Sequence, residues 1–158
     1  MNTIFDIIGP IMIGPSSSHT AGAARLGKMA HCIFRGVPSR VELTLYGSFA
    51  KTYKGHGTDK ALLAGLLGFQ EDDARIRVAD ELAKRDNMDY EFIESPLEVD
   101  HPNVVKFDMY DTGHRHMTVV GRSLGGGRIM ITQVDGVDME ITGDEFTVVV
   151  FHEDRPGV

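Results

Sequence analysis

The sequence has a single cysteine, Cys32, among its 158 residues. That scarcity excludes any site built from several thiolates. An iron–sulfur cluster takes about four of them, so this chain alone cannot hold one. A surplus of positive charge is also missing. Sixteen Lys and Arg stand against 23 Asp and Glu, for a net charge of −7 and a pI near 5.4. Phosphate backbones need a basic face, so nucleic acid is not an expected partner. Nor is there a long uninterrupted apolar run. The stretch with Ile4, Phe5, Ile7, Ile8, Ile11, Met12 and Ile13 is broken by Asp6, Gly9 and Pro10 and lacks a basic start. It reads as neither a signal peptide nor a membrane span. One thiol in an unexported chain suits a reducing compartment, and a cytoplasmic location is expected. With 42% hydrophobic residues, the chain can bury about one core.

What is present begins with GPSSSHTAG at 14–22. Pro15 suits the turn that opens a helix, and Ser16, Ser17 or Ser18 can each serve as its N-cap. From Ala21 onward, Ala23, Leu26, Met29, Ala30, Ile33 and Phe34 recur at three- and four-residue spacing, which predicts one buried helix face. Gly36 and Pro38 close it. Cys32 is read as a small core residue beside Ile33. Unpaired amides and the helix dipole at such an opening favour a carboxylate or phosphate. His19 is the side chain there that can take and give protons near neutral pH. A solvated first-turn histidine beside an ordinary serine cap is the competing reading, and the residues alone leave both open. A Ser-His-Asp triad does not fit, because adjacent helical residues do not face one another and no nucleophile elbow is present.

A strand is predicted over 40–47 from the alternation of Val41, Leu43 and Leu45 with Glu42 and Thr44. A second polar loop follows, with Gly55, His56, Gly57, Thr58 and Asp59. Thr58 or Asp59 is expected to cap a short, deeply buried helix carrying Ala61, Leu62, Leu63, Leu66 and Leu67, which Gly68 stops. His56, Thr58 and Asp59 form a candidate second site loop, a tight turn with a cap being the competing reading. Asp72 or Asp73 opens another helix to about Lys84, with Ile76, Ala79, Leu82 and Ala83 inward. Strands then follow at 91–95, 104–111, 115–124 and 128–134, and Asp135–Gly136 signals a hairpin. Helices early and antiparallel strands later make this an α+β fold. The glycines at 125–127 lack the Lys and Ser/Thr of a phosphate loop and join two strands, so they read as a hairpin turn.

Three strings, GPSSSHTAGAARLGKMA at 14–30, GSFAKTYKGHGTDKALLAGLLG at 47–68 and GRSLGGGRI at 121–129, together resemble the beta chain of the iron-sulfur L-serine dehydratases. The resemblance implies a lyase subunit that helps deaminate serine to pyruvate and ammonia. It implies an alpha-chain partner that carries a 4Fe-4S cluster, and a fold similar to the allosteric substrate-binding domain of some phosphoglycerate dehydrogenases. Carried onto this sequence, it makes His19 a base or proton carrier. Ser16, Ser17, Ser18 and Thr20 would hold the substrate carboxylate or orient His19. The expected partners are the alpha chain and a small amino-acid substrate, with a homodimer left open. The alternative from another class is a non-catalytic regulatory module that binds a small amino acid or anion. The glycines at 125–127 would be a recurring beta-chain signature. The string TVVVFHEDRPGV at 147–158 resembles the opening of an ACT domain. The domain reading is therefore 1–142 for the beta-type domain and 143–158 for the truncated start of an ACT-like domain. Residues 146–151 would form a strand, and those beyond about 142 are expected to lack their packing partner, poorly ordered or paired with another chain.

Overall fold

A computed structural model describes residues 10–148. Ser16 caps the first helical segment, as the serine-rich opening predicts, its Oγ accepting from the His19 amide at 3.0 Å. The first turn is wider than expected. Ser17–Ala21 form a π turn before the α-helix α1, Gly22–Phe34, begins. The inward face of α1 is Ala23, Leu26, Ala30 and Phe34, all buried, with Met29 and Ile33 partly buried against the same core. Arg35, not Gly36, takes the left-handed conformation at its end, with φ 61°, and the amides of Arg35 and Gly36 return to the carbonyls of Cys32 and His31.

Cys32 is exposed, against the expectation of a core position. It stands two residues from Ala30, about 200° around the helix, so the turn that buries Ala30 carries Cys32 outward. Its flank is a concavity of about 620 Å³ shared with Met29, Ile33, Met117 and Met139. Titration of the folded chain with a thiol reagent should therefore consume one equivalent without denaturant. A thiol that reacts only after unfolding would contradict this placement.

Strand β1, Arg40–Tyr46, follows and buries Val41, Leu43 and Leu45. The short helix α2, Gly47–Thr52, was not anticipated. Six residues give no helical periodicity to read. Helix α3, Thr58–Leu66, is buried almost all round, as its composition predicts. Its N-cap, however, is Gly57 in the left-handed region, and neither Thr58 nor Asp59 caps it. The Thr58 side chain is instead folded into the protein at 0% exposure. Asp73 does open the next helical stretch, accepting from the Arg75 amide. That stretch is a 3-10 turn, Ala74–Val78, which runs into α4, Ala79–Arg85. Ile76, Ala79 and Ala83 are buried there and Leu82 is partly buried.

The remaining strands are β2 (Asp89–Glu94), β3 (Asn103–Tyr110), β4 (His116–Gly125), β5 (Arg128–Val134) and β6 (Val137–Ile141). They join β1 in one six-stranded sheet of order β2-β1-β3-β4-β5-β6. Only the β1–β2 pair is parallel. This confirms the α+β class. The glycines at 125–127 turn β4 into β5, and Asp135 and Gly136 turn β5 into β6 with φ of 47° and 79°, the paired positive values of a tight hairpin. One face of the sheet presents Leu43, Phe107, Val119 and Ile131, all at 0% exposure. Helix α1 lies on β4 and β5, with α3 packed against it.

Residues 142–148 have no regular structure, and Phe146 and Val148 are exposed. The expected strand at 146–151 therefore finds no strand in its described part. The rest of it, the remainder of the ACT-like segment and the apolar stretch at 4–9 lie outside the described residues. Among those that are described, no helix is long and apolar enough to cross a membrane.

Candidate active site

The π turn determines where His19 points. The Ser16 carbonyl accepts from both the Thr20 and Ala21 amides, at 2.9 and 3.2 Å, so one extra residue is accommodated before α1 settles into regular geometry. Such insertions re-aim side chains and recur at functional sites. Two further contacts lock the turn. The buried Ser123 hydroxyl on β4 donates to the Ser18 carbonyl at 2.9 Å. The Thr20 hydroxyl, 2% exposed, donates to the His56 carbonyl at 3.0 Å.

That second bond joins the two loops singled out in the sequence into one site. The His19 and His56 rings lie 4.9 Å apart, centre to centre, and tilted by 53°. Phe49, fully buried on α2, meets the His19 ring edge-on at 5.3 Å. His19 Nε2 is hydrogen-bonded to Ser48 Oγ at 3.0 Å, while Nδ1 lies 3.5 Å from Ser16 Oγ. Partial burial holds the His19 pKa below its ordinary 6.5, and the neighbouring His56 pushes it further down. The ring is therefore neutral at neutral pH and can accept a proton.

The candidate residues are not equivalent. The Thr20 donor is committed to the His56 carbonyl, which fits an orienting role rather than contact with a ligand. Ser16 caps the turn, and Ser17 and Ser18 are half-buried. Two buried polar atoms on the second loop, His56 Nδ1 and the Thr58 hydroxyl, have no hydrogen-bond partner. An unpaired buried donor or acceptor is costly, and the first of the two belongs to the ring that lies against His19. Asp59 is not part of this group. Its carboxylate accepts from the Lys60 amide at 2.8 Å and interacts with Lys60 and Asp80, while burial raises its pKa.

Sequence reasoning missed Ser48 and Ser123. Ser48 sits in the unanticipated helix α2, and Ser123 reaches the turn across 105 residues of chain. The glycine turn at 125–127 lies close by, since a Cβ at Gly125 would stand 3.5 Å from Ser18 Oγ. Among the described residues, no group of three or more His, Cys, Asp or Glu side chains could hold a metal. With one cysteine, exposed at the far end of α1, these residues do not fit an iron–sulfur cluster. Concavities open beside Met88, Cys32 and Ser48; the last borders the residue bonded to His19, and His19 itself lines none of these three.

Comparison with known proteins adds the decisive observation. A family model described as the serine dehydratase beta chain matches residues 3–92. The chain belongs to the serine dehydratase beta-chain family. It is 46% identical over 156 residues to the probable L-serine dehydratase, beta chain, of Bacillus subtilis (strain 168), covering 98% of this chain and 70% of that protein. It is 43% identical over 155 residues to the L-serine dehydratase, beta chain, of Peptoniphilus asaccharolyticus, again covering 98% and 70%. A shorter likeness, 45% over 74 residues, links it to L-serine dehydratase 2 of Escherichia coli (strain K12), covering 43% of this chain and 16% of that protein. The stretch matched by the family model contains His19, Ser48, His56 and Thr58. The glycine turn and Ser123 lie beyond it.

Proposed function

We propose that this chain is the beta subunit of an L-serine dehydratase and supplies the paired imidazoles of His19 and His56 to a reaction centre completed by an alpha chain. The observation that carries this reading is the meeting of two separate loops at one half-buried pair of rings. Conversion of serine to pyruvate and ammonia removes the proton on the α-carbon and the hydroxyl on the β-carbon. The first step needs an unprotonated base, which for an imidazole is the neutral form. His19 is held neutral by burial and by its neighbour. The nearby His56 adds to burial in disfavouring the charged form of His19. Ser17 and Ser18 offer hydroxyls for the substrate carboxylate, while Ser16 and Thr20 hold the loops. An iron–sulfur cluster, if the reaction uses one, belongs on the alpha chain, because the residues here do not fit it.

Reconstitution tests the assignment. The full chain alone is expected to release no pyruvate from serine, and mixing it with a serine dehydratase alpha chain should restore release. Failure of every such mixture, with both chains folded and associated, would count against the lyase reading. Measurable serine affinity of the isolated chain without any turnover would instead favour the regulatory module.

A further inference from the structure

We propose that Ser48 is the positioning residue for His19, its hydroxyl selecting which way the imidazole ring is turned. The need for such a group follows from the packing. Phe49 meets the ring edge-on and His56 lies against it. These contacts restrict where the ring lies. They do not distinguish it from the same ring rotated by half a turn, because the two outlines are nearly identical. That rotation would bring a ring carbon to the place that Nε2 occupies. A hydroxyl 3.0 Å from Nε2 can bond to nitrogen and not to carbon. The opposite contact, Nδ1 to Ser16 Oγ, is longer at 3.5 Å, and that oxygen already accepts from the His19 amide. The selective bond is therefore the one to Ser48.

Ser48 is itself held in place. Its amide donates to the Pro102 carbonyl at 2.6 Å, and its own carbonyl accepts from the Thr52 hydroxyl at 2.8 Å. Gly47 makes that approach possible. At φ 57°, a Cβ there would stand 2.6 Å from the Pro102 oxygen and 2.9 Å from its Cα. The hydroxyl thus projects from an anchored backbone, as a group that orients a base must do.

The catalytic consequence rests on the function proposed above, whereas the structural one does not, and the test reads them separately. In the full chain, without a partner, NMR contacts from the His19 ring protons to the protons of Phe49 and His56 should show one dominant ring orientation. Ser48→Ala should give a mixture, and Ser48→Thr, which keeps the hydroxyl, should restore the single form. In the reconstituted enzyme, Ser48→Ala should lower kcat up to about a hundredfold, the scale of a small misplacement of a reacting group. KM should stay within about twofold, and Ser48→Thr should recover most of the loss. A ring-contact spectrum unchanged by Ser48→Ala, in a chain that still melts cooperatively, overturns the proposal whatever turnover does. A changed spectrum with unchanged turnover upholds the positioning and removes His19 from the chemistry. If Ser48→Ala does not fold, Ser48→Gly, which also lacks the hydroxyl, carries the same comparison, with the same outcome overturning it.

Discussion

Replacing Gly65 by valine is expected to lower the midpoint of thermal unfolding by about 6–12 °C, the equivalent of about 3 kcal/mol in a chain of this size. Helices α1 and α3 touch backbone to backbone at this position. A Cβ on Gly65 would lie 2.5 Å from the Lys28 amide nitrogen and 2.8 Å from the Gly27 carbonyl carbon, and closer still to the Ala24 carbonyl oxygen. The reciprocal glycine, Gly27, faces the Leu62 carbonyl and lies within 3.0 Å of Gly65 Cα by the same measure. Backbone atoms cannot rotate away, so the helices must separate. Separation loosens Ala24, Leu26, Leu62 and Leu66, all of them buried. Alanine is the sharper test, because two effects oppose each other there. Removing a helical glycine gains about 1 kcal/mol of propensity, while overpacking costs about 1–3 kcal/mol. With three backbone atoms inside 3.0 Å, overpacking wins, and Gly65→Ala should also destabilise. The control is Gly55→Ala, where the nearest atom is 3.7 Å away and no positive φ is involved. It should stay within about 0.5 kcal/mol of wild type. A Gly65→Ala chain that melts above wild type would contradict the close crossing.

The pattern of success at the level of sequence follows from the range of the forces involved. Val41, Leu43 and Leu45 alternate with polar residues, and a half-buried strand is the arrangement that uses such alternation. Asp135 and Gly136 tolerate the backbone that a tight hairpin demands, and the turn falls there. Local chemistry also marked both loops of the site. What it could not reveal was their meeting. The Thr20 bond to the His56 carbonyl and the Ser123 bond to the Ser18 carbonyl join residues 36 and 105 positions apart, and no local rule links them. Cys32 was misplaced because an apolar neighbour, Ile33, suggested a buried flank, while the angle of the helix turned the thiol outward. Thr58 looked like a cap by type. Gly57 took that role because the chain enters α3 in a left-handed conformation that suits glycine, which left the threonine free to be buried.

His19→Ala in the reconstituted enzyme is expected to reduce kcat by about 10²- to 10⁴-fold, the usual contribution of a positioned general base, while leaving association with the alpha chain intact. Association should survive because the fold around the ring is held by contacts the substitution does not remove. Ser123 holds the Ser18 carbonyl, Thr20 holds the His56 carbonyl, and Phe49 remains buried. The pH dependence supplies an independent check. Burial and His56 place the folded pKa of His19 below 6.5, so the acid limb of kcat/KM should fall below pH 6.5, where the base becomes protonated. The linkage to stability has a definite sign. In the unfolded chain this ring protonates near 6.5, and in the folded chain it resists the proton. Its contribution is therefore complete above pH 6.5 and is lost as the pH falls from there through the lower folded value. His19→Ala should remove that part of the acid sensitivity along with the turnover. His56→Ala separates the pair, because loss of the neighbour should raise the His19 pKa and move the acid limb upward. Turnover that survives in His19→Ala while collapsing in His56→Ala would transfer the role of base to the second ring.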